Sequence, residues 1–360
     1  MSSAVPDIMA NLASLQFEHG LTEDEKSLVH LRDHAIALTI STSVHAAFFC
    51  RLLSTVRQKI TTGNASLTTK VSKLWSPASS NNSIKVGIIG GGHIGKQLAR
   101  VLLDVTDVPA AHIRISSRRP ETLHEFQKVG IECFYNNGHL AASSDVLFLC
   151  CLPAHLSKIC SEIKGRLSES CIVYSLITAV PIPRLKQLLC HSAILRPEYV
   201  FTGGYTGDIW KKGRTVSAAL KDSAVIKATW PYSPSEGTLV KVKWYEAVLY
   251  CALNLCTSNK LSHSQSVQLL NEILLHPFTS EETEMTPSKF VPESFVNKSF
   301  CATMSVEDFF PSFDLSAVQG KDTPLSRFLE GNPTLLEQLC KVYCASFGAI
   351  HTESKVALSS

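Results

Sequence analysis

Excess charge of either sign is what this chain lacks most: 34 Lys and Arg against 31 Asp and Glu leave a formal net charge of +3 over 360 residues. No basic stripe interleaved with aromatics runs through it, which argues against a nucleic-acid partner. The 12 cysteines include no Cys-x-x-Cys pair and mostly sit in apolar runs. Neither a disulfide framework nor a zinc site is therefore expected, and no metal constellation stands out among the 13 histidines. Free thiols suit a reducing compartment. No basic segment followed by an apolar one opens the chain, so no secretory signal is expected. The cytoplasm is the expected location, with the mitochondrial matrix left open. The apolar window 35–53 is interrupted by His45, Ser and Thr at helical period. It reads as a buried helix rather than a membrane span, so no membrane partner is expected.

What is present is enough apolar material, 45% of residues, for a large core. The length suits two or three domains. Thr22-Glu23-Asp24-Glu25 is a capping box, and a helical region should follow over 23–60, with a bend near 41–43. Residues 61–83 turn to Ser, Thr, Asn and Gly, as linkers do. Residues 1–80 are thus expected to be an N-terminal helical extension, an appendage ahead of the main domain. The next stretch, 81–200, alternates strand and helix. Strands are expected at 85–89, 113–116, 131–135, 146–152, 171–177 and 193–195. Helices are expected after the glycine turn, after Pro120, after Pro153 and at 184–189. That alternation means an α/β, Rossmann-type, doubly wound parallel sheet. Residues 201–243 form a connecting segment. From Trp244 to the end the pattern is helical, with helices at 244–256, 264–275 (Ser262 or Ser264 as cap) and 334–347.

Gly90-Gly91-Gly92-His93-Ile94-Gly95 follows a strand and opens a helix within a βαβ unit, fitting G-x-G-x-x-G. Gly90 allows the tight turn, Gly92 lets the backbone approach a pyrophosphate, and Gly95 lets helix and strand pack closely. The helix start adds free N–H groups and partial positive charge. His93 and Ile94 lie in the same turn and are expected to touch the cofactor. At the end of the second strand an NAD enzyme usually carries an acid for the ribose 2′-hydroxyl. Here the chain reads Ser116-Ser117-Arg118-Arg119, with no acid before Glu121. Hydroxyls and guanidinium groups suit a 2′-phosphate, so the expected cofactor is NADP(H).

These residues resemble the pyrroline-5-carboxylate reductase family from about Lys85 to Pro197. VGIIGGGHIGKQL resembles its first strand and turn, Ser-Ser-Arg-Arg its NADP loop, and DVLFLCCLPAHLSKI its fourth strand. Leu152-Pro153 stands where that family normally has Lys-Pro beside the nicotinamide, which places both residues at the cofactor. The resemblance implies chemistry like that of proline biosynthesis, a small-molecule substrate, and a homodimer through the C-terminal helices. Those helices also carry much apolar surface for a small domain. The family's glycine-rich substrate turn is absent, however. Its place is taken by VKVKWYEAVLYCAL, where Trp244 and Tyr245 are expected to narrow the substrate space.

No catalytic residue follows from the sequence. His155, Thr178, Tyr245 and Glu246 are candidates with equally simple structural readings. The adjacent Cys150 and Cys151 read as packing. Two functions stay open: an NADP(H)-dependent oxidoreductase acting on a small C=N or C=O substrate, or a catalytically silent NADP-binding or scaffold protein.

Overall fold

The apolar run at 146–152 becomes the middle of a six-stranded sheet. The computed structural model describes residues 20–28, 30–62, 83–202, 215–233, 237–275 and 288–348. Strands β1 (Val86–Ile89), β2 (Ile113–Ser116), β3 (Glu132–Phe134), β4 (Val146–Leu149), β5 (Ile172–Ser175) and β6 (Ile194–Leu195) are parallel, in the order β3-β2-β1-β4-β5-β6. Two helices precede the sheet, α1 (Glu23–Ser27) and α2 (His30–Thr62). Five more alternate with the strands: α3 (His93–Val105), α4 (His124–Lys128), α5 (Asn137–Ala142), α6 (Pro153–Ile163) and α7 (Ile182–Leu189).

The central strands β1 and β4 are apolar on both faces because both faces are covered. Val86, Ile88, Ile115, Val146, Phe148 and Tyr174 point into one core with residues of α2 and α3. Ile89, Leu147, Leu149 and Val173 point into the other, with Leu140 of α5, Leu156 and Ile163 of α6, and Leu185 of α7. This is the expected doubly wound sheet. The central strands are shorter than the apolar runs. β4 ends at Leu149, and 150–152 turn across the carboxyl edge before Pro153 starts α6. α5, capped by Asn136, was not foreseen.

The N-terminal extension is not an appendage. The Thr22–Glu25 capping box opens α1 as expected, but α2 is a core element about 50 Å long. It packs against α3 of the Rossmann part and against the C-terminal helices. Val44, Ala46, Ala47, Phe48, Phe49, Cys50, Leu52 and Leu53 are all buried. A helix apolar around most of its circumference cannot sit at a periphery, which is the physical reason the appendage reading fails. α2 runs unbroken through 41–43, where Thr42 and Ser43 hydroxyls bond back to the Leu38 and Thr39 carbonyls. It is long and apolar enough to cross a bilayer, yet 78% of its most apolar window is buried inside the protein. Most of the linker read at 61–83 lies outside the described residues.

After the sheet, β7 (Tyr199–Thr202) and β8 (Gly237–Val240) pair antiparallel, flanking α8 (Val216–Ala219) and α9 (Ser223–Ala228). The C-terminal region is helical as expected: α10 (Lys243–Ser258), α11 (His263–Leu274), α12 (Lys298–Cys301), α13 (Leu315–Val318), α14 (Pro324–Glu330) and α15 (Pro333–Ala345). Ser262 is the cap of α11, in a capping box with Gln265. α10 is buried over an unbroken run from Trp244 to Leu253. α2, α11, α13 and α14 of the same chain all contact it. The apolar surface of α10, part of what argued for a homodimer, thus meets α2, α11, α13 and α14 of its own chain.

Candidate functional site

β1 delivers the chain to Gly90, whose φ of +112° favours glycine; a Cβ there would lie 2.7 Å from the Cys150 carbonyl oxygen. The turn is pinned on both sides. Gly90 N–H donates to Ser116 O at 2.9 Å, and Cys150 N–H donates to Ile89 O at 2.9 Å. Gly95 packs beneath, where a Cβ would come within 1.9 Å of the Gly90 carbonyl oxygen. Gly92 differs, since a Cβ there would meet nothing within 4 Å. It caps α3 without a side chain, leaving the first-turn N–H groups free to face an anion. Of these three glycines, two are closed by protein and one is open.

In front of the turn lies a cleft of about 330 Å³. Of the residues expected at a cofactor, Gly90, Gly92, Ser116, Ser117, Arg118, Arg119 and Leu152 line it. His93 and Ile94, in the first turn of α3, do not; nor do buried Gly95 and Pro153, the first residue of α6. Arg118 and Arg119 are exposed, and neither guanidinium has an ion-pair partner among the described residues. Glu121 stays outside the cleft. Glu125 is held by Arg100 at 2.7 and 2.9 Å. That bond keeps the Glu125 carboxyl below the usual carboxylate range.

Ser116 was expected to serve a ligand and does something else. Its buried hydroxyl donates to Asn137 Oδ1 at 2.7 Å and accepts from the Asn136 N–H at 3.2 Å. Both capacities tie β2 to α5, so of the two serines Ser117 is the one whose hydroxyl stays near Arg118 and Arg119. Sequence reasoning also missed Thr122, Tyr135, Asn137, Lys158, Ile159 and Glu162, which complete the cleft. They come from the turn at 120–123, the end of β3, α5 and α6, so only tertiary structure brings them together.

Leu152, 67% exposed, presents an apolar side chain at the carboxyl edge of β4. His155 lines the cleft from the first turn of α6. Cys150 and Cys151 line it too; burial pushes the Cys151 thiol up to about 11, so neither is poised as a thiolate. Thr178, past β5, is exposed, and its carbonyl accepts from the Arg196 guanidinium.

Trp244 and Tyr245 do not border a substrate space. Both are fully buried, and Trp244 Nε1–H donates to the Tyr174 hydroxyl at 2.9 Å. The Trp244 ring also packs 4.3 Å from that of His45 on α2. Glu246 is buried as well, accepting from Ser326 Oγ at 2.7 Å and Lys243 Nζ at 3.1 Å. The start of α10 is therefore part of the core. Among the described residues no group of three or more His, Cys, Asp or Glu could hold a metal.

The strand order and the glycine turn define a dinucleotide-binding domain of the Rossmann class. Residues 85–176 match the family described as NADP oxidoreductase, coenzyme F420-dependent. The chain is 39% identical over 353 residues to NADP-dependent oxidoreductase domain-containing protein 1 of Mus musculus, covering 97% of this chain and 96% of that one. It belongs to that family of NADP-dependent oxidoreductase domain proteins, which is related to pyrroline-5-carboxylate reductase. Pyrroline-5-carboxylate reductase 3 of Danio rerio is 26% identical over 106 residues, 29% of this chain and 37% of that protein. Among solved structures, a pyrroline-5-carboxylate reductase from Coxiella burnetii aligns with 74% of this chain and 97% of its own, at 18% identity and a TM-score of 0.32.

Proposed function

We propose that the cleft binds NADP(H) and that the protein is an oxidoreductase passing hydride between that cofactor and a small C=N or C=O compound. One observation carries the reading: Gly92 opens onto the cleft while Gly90 and Gly95 are sterically closed by the protein. Backbone N–H groups at the start of α3 would hold the pyrophosphate, and Arg118, Arg119 and Ser117 the 2′-phosphate. Leu152 would border the nicotinamide, whose hydride is the chemistry the cofactor supplies. Incubating the protein with NADPH and a panel of imines, keto acids and aldehydes tests the reading. Turnover with at least one of them is expected.

The burial of Trp244, Tyr245 and Glu246 favours a second reading, a silent NADP-binding protein. The segment standing where relatives keep a substrate turn is here part of the core. It predicts NADPH binding with no oxidation by any panel member. Under either reading, pyrroline-5-carboxylate itself is reduced slowly or not at all. Leu152 removes the cation expected beside the nicotinamide, and lost substrate orientation costs orders of magnitude in rate. Turnover near ~10 per second, typical of enzymes, would contradict this.

A further inference from the structure

The first acid after β2, Glu121, stays outside the cleft, yet the fold brings another acid into it. Glu162 lies on α6, nine residues after Pro153 and hence about 13 Å along that helix from the carboxyl edge. A chain of hydrogen bonds fixes it. The Asn136 N–H donates to Ser116 Oγ, so the Ser116 proton goes to Asn137 Oδ1. With its oxygen engaged, Asn137 turns its amide nitrogen outward and Nδ2–H donates to Glu162 Oε2 at 2.7 Å. The other Glu162 oxygen has no hydrogen bond among the described residues. Tyr135, 48% exposed and with no ring partner among the described residues, lines the same cleft. Ile159 and Lys158 complete the wall.

We propose that this groove reads the base of the dinucleotide, with Glu162 accepting a hydrogen bond from the exocyclic amino group of adenine. The proposal rests on the reading of the cleft as a dinucleotide site. With the pyrophosphate at Gly92 and the 2′-phosphate at Arg118 and Arg119, the base extends away from both, along α6 toward Lys158 and Glu162. Tyr135 offers it a stacking face and Ile159 an apolar one. A carboxylate there accepts from an amino group and repels a carbonyl oxygen. The site therefore selects a 6-amino purine over a 6-oxo purine.

The analogue in which hypoxanthine replaces adenine, deamino-NADPH, tests this directly. The unmodified protein should bind it at least tenfold more weakly than NADPH by calorimetry. In Glu162→Gln the amide keeps an acceptor for Asn137 and offers an N–H to the carbonyl, so the two cofactors should bind equally or in reversed order. An unchanged melting temperature shows that this variant is folded. Should it not fold, the comparison on the unmodified protein decides alone. Tight NADPH binding with equal affinity for the analogue overturns the proposal and leaves the cofactor reading standing. No NADPH binding at all overturns the cofactor reading and this proposal with it.

Discussion

Two alanine substitutions in one turn should fail for opposite reasons. At Gly95 a new Cβ would sit 1.9 Å from the Gly90 carbonyl oxygen, well inside the roughly 3.3 Å at which carbon and oxygen first touch favourably. Gly90 cannot yield freely, because its N–H is bonded to Ser116 at 2.9 Å and its φ is +112°. Overpacking of this kind costs about 3 kcal/mol or more when the backbone must move. At Gly92 the new methyl meets nothing within 4 Å, and φ is −80°, open to any residue. Only the cap preference changes there, by about 1 kcal/mol or less. Thermal unfolding should therefore show Gly95→Ala strongly destabilised and Gly92→Ala close to the parent. NADPH affinity measured by calorimetry should fall at least about tenfold in Gly92→Ala, some 1.4 kcal/mol, because the methyl occupies the pyrophosphate approach. A Gly92→Ala protein that both melts and binds NADPH like the parent would refute the reasoning and reduce the turn to a structural device.

Two further tests address the core. His45 is buried with Nδ1 at 2.8 Å from the Tyr199 hydroxyl and Nε2 at 2.8 Å from the Thr229 carbonyl, and burial pulls it down to about 4. Its folded value lies below the unfolded one, near 6.5, so the unfolded chain binds the proton first. Its contribution is complete above pH ~6.5 and drains away as pH falls toward ~4, about 3 kcal/mol in all. Chemical denaturation across that window should show a pH slope shallower in His45→Gln than in the parent; identical slopes would contradict it. Phe48 on α2 is fully buried, 4.8 Å from the Tyr343 ring and 6.1 Å from that of Tyr245. Phe48→Ala should cost about 3–5 kcal/mol of unfolding free energy, whereas a peripheral helix would lose little.

The parts of this fold that sequence exposes are those set by local rules. The strand 86–89, the glycine turn and the helix after it announce themselves through apolar runs and through steric needs confined to a few residues. Ser262 and Thr22 were readable as caps for the same reason. The cleft beyond the turn was not legible, because Glu162, Asn137 and Tyr135 are brought to Ser116 only by packing α5 and α6 on the sheet. Ser116 shows the limit well. A hydroxyl beside two arginines reads as a phosphate donor, and only the fold shows that Asn136 and Asn137 already use it. Likewise Trp244 and Tyr245 read as bulky pocket residues until α2 is seen to cover them. Their partners are His45 and Phe48, about 200 residues earlier in the chain.

The central claim is that the cleft holds NADP(H), selected by Arg118 and Arg119. Each guanidinium can give the 2′-phosphate a charge-assisted hydrogen bond, about twice the strength of a neutral one. Calorimetric titration of the unmodified protein with NADPH and with NADH is the most direct measurement, repeated on the double variant Arg118→Ala, Arg119→Ala. NADPH should bind at least about tenfold more tightly, a preference of some 1.4 kcal/mol or more, and the double variant should lose that preference while retaining its affinity for NADH. Equal affinity for the two cofactors in the unmodified protein would contradict the assignment.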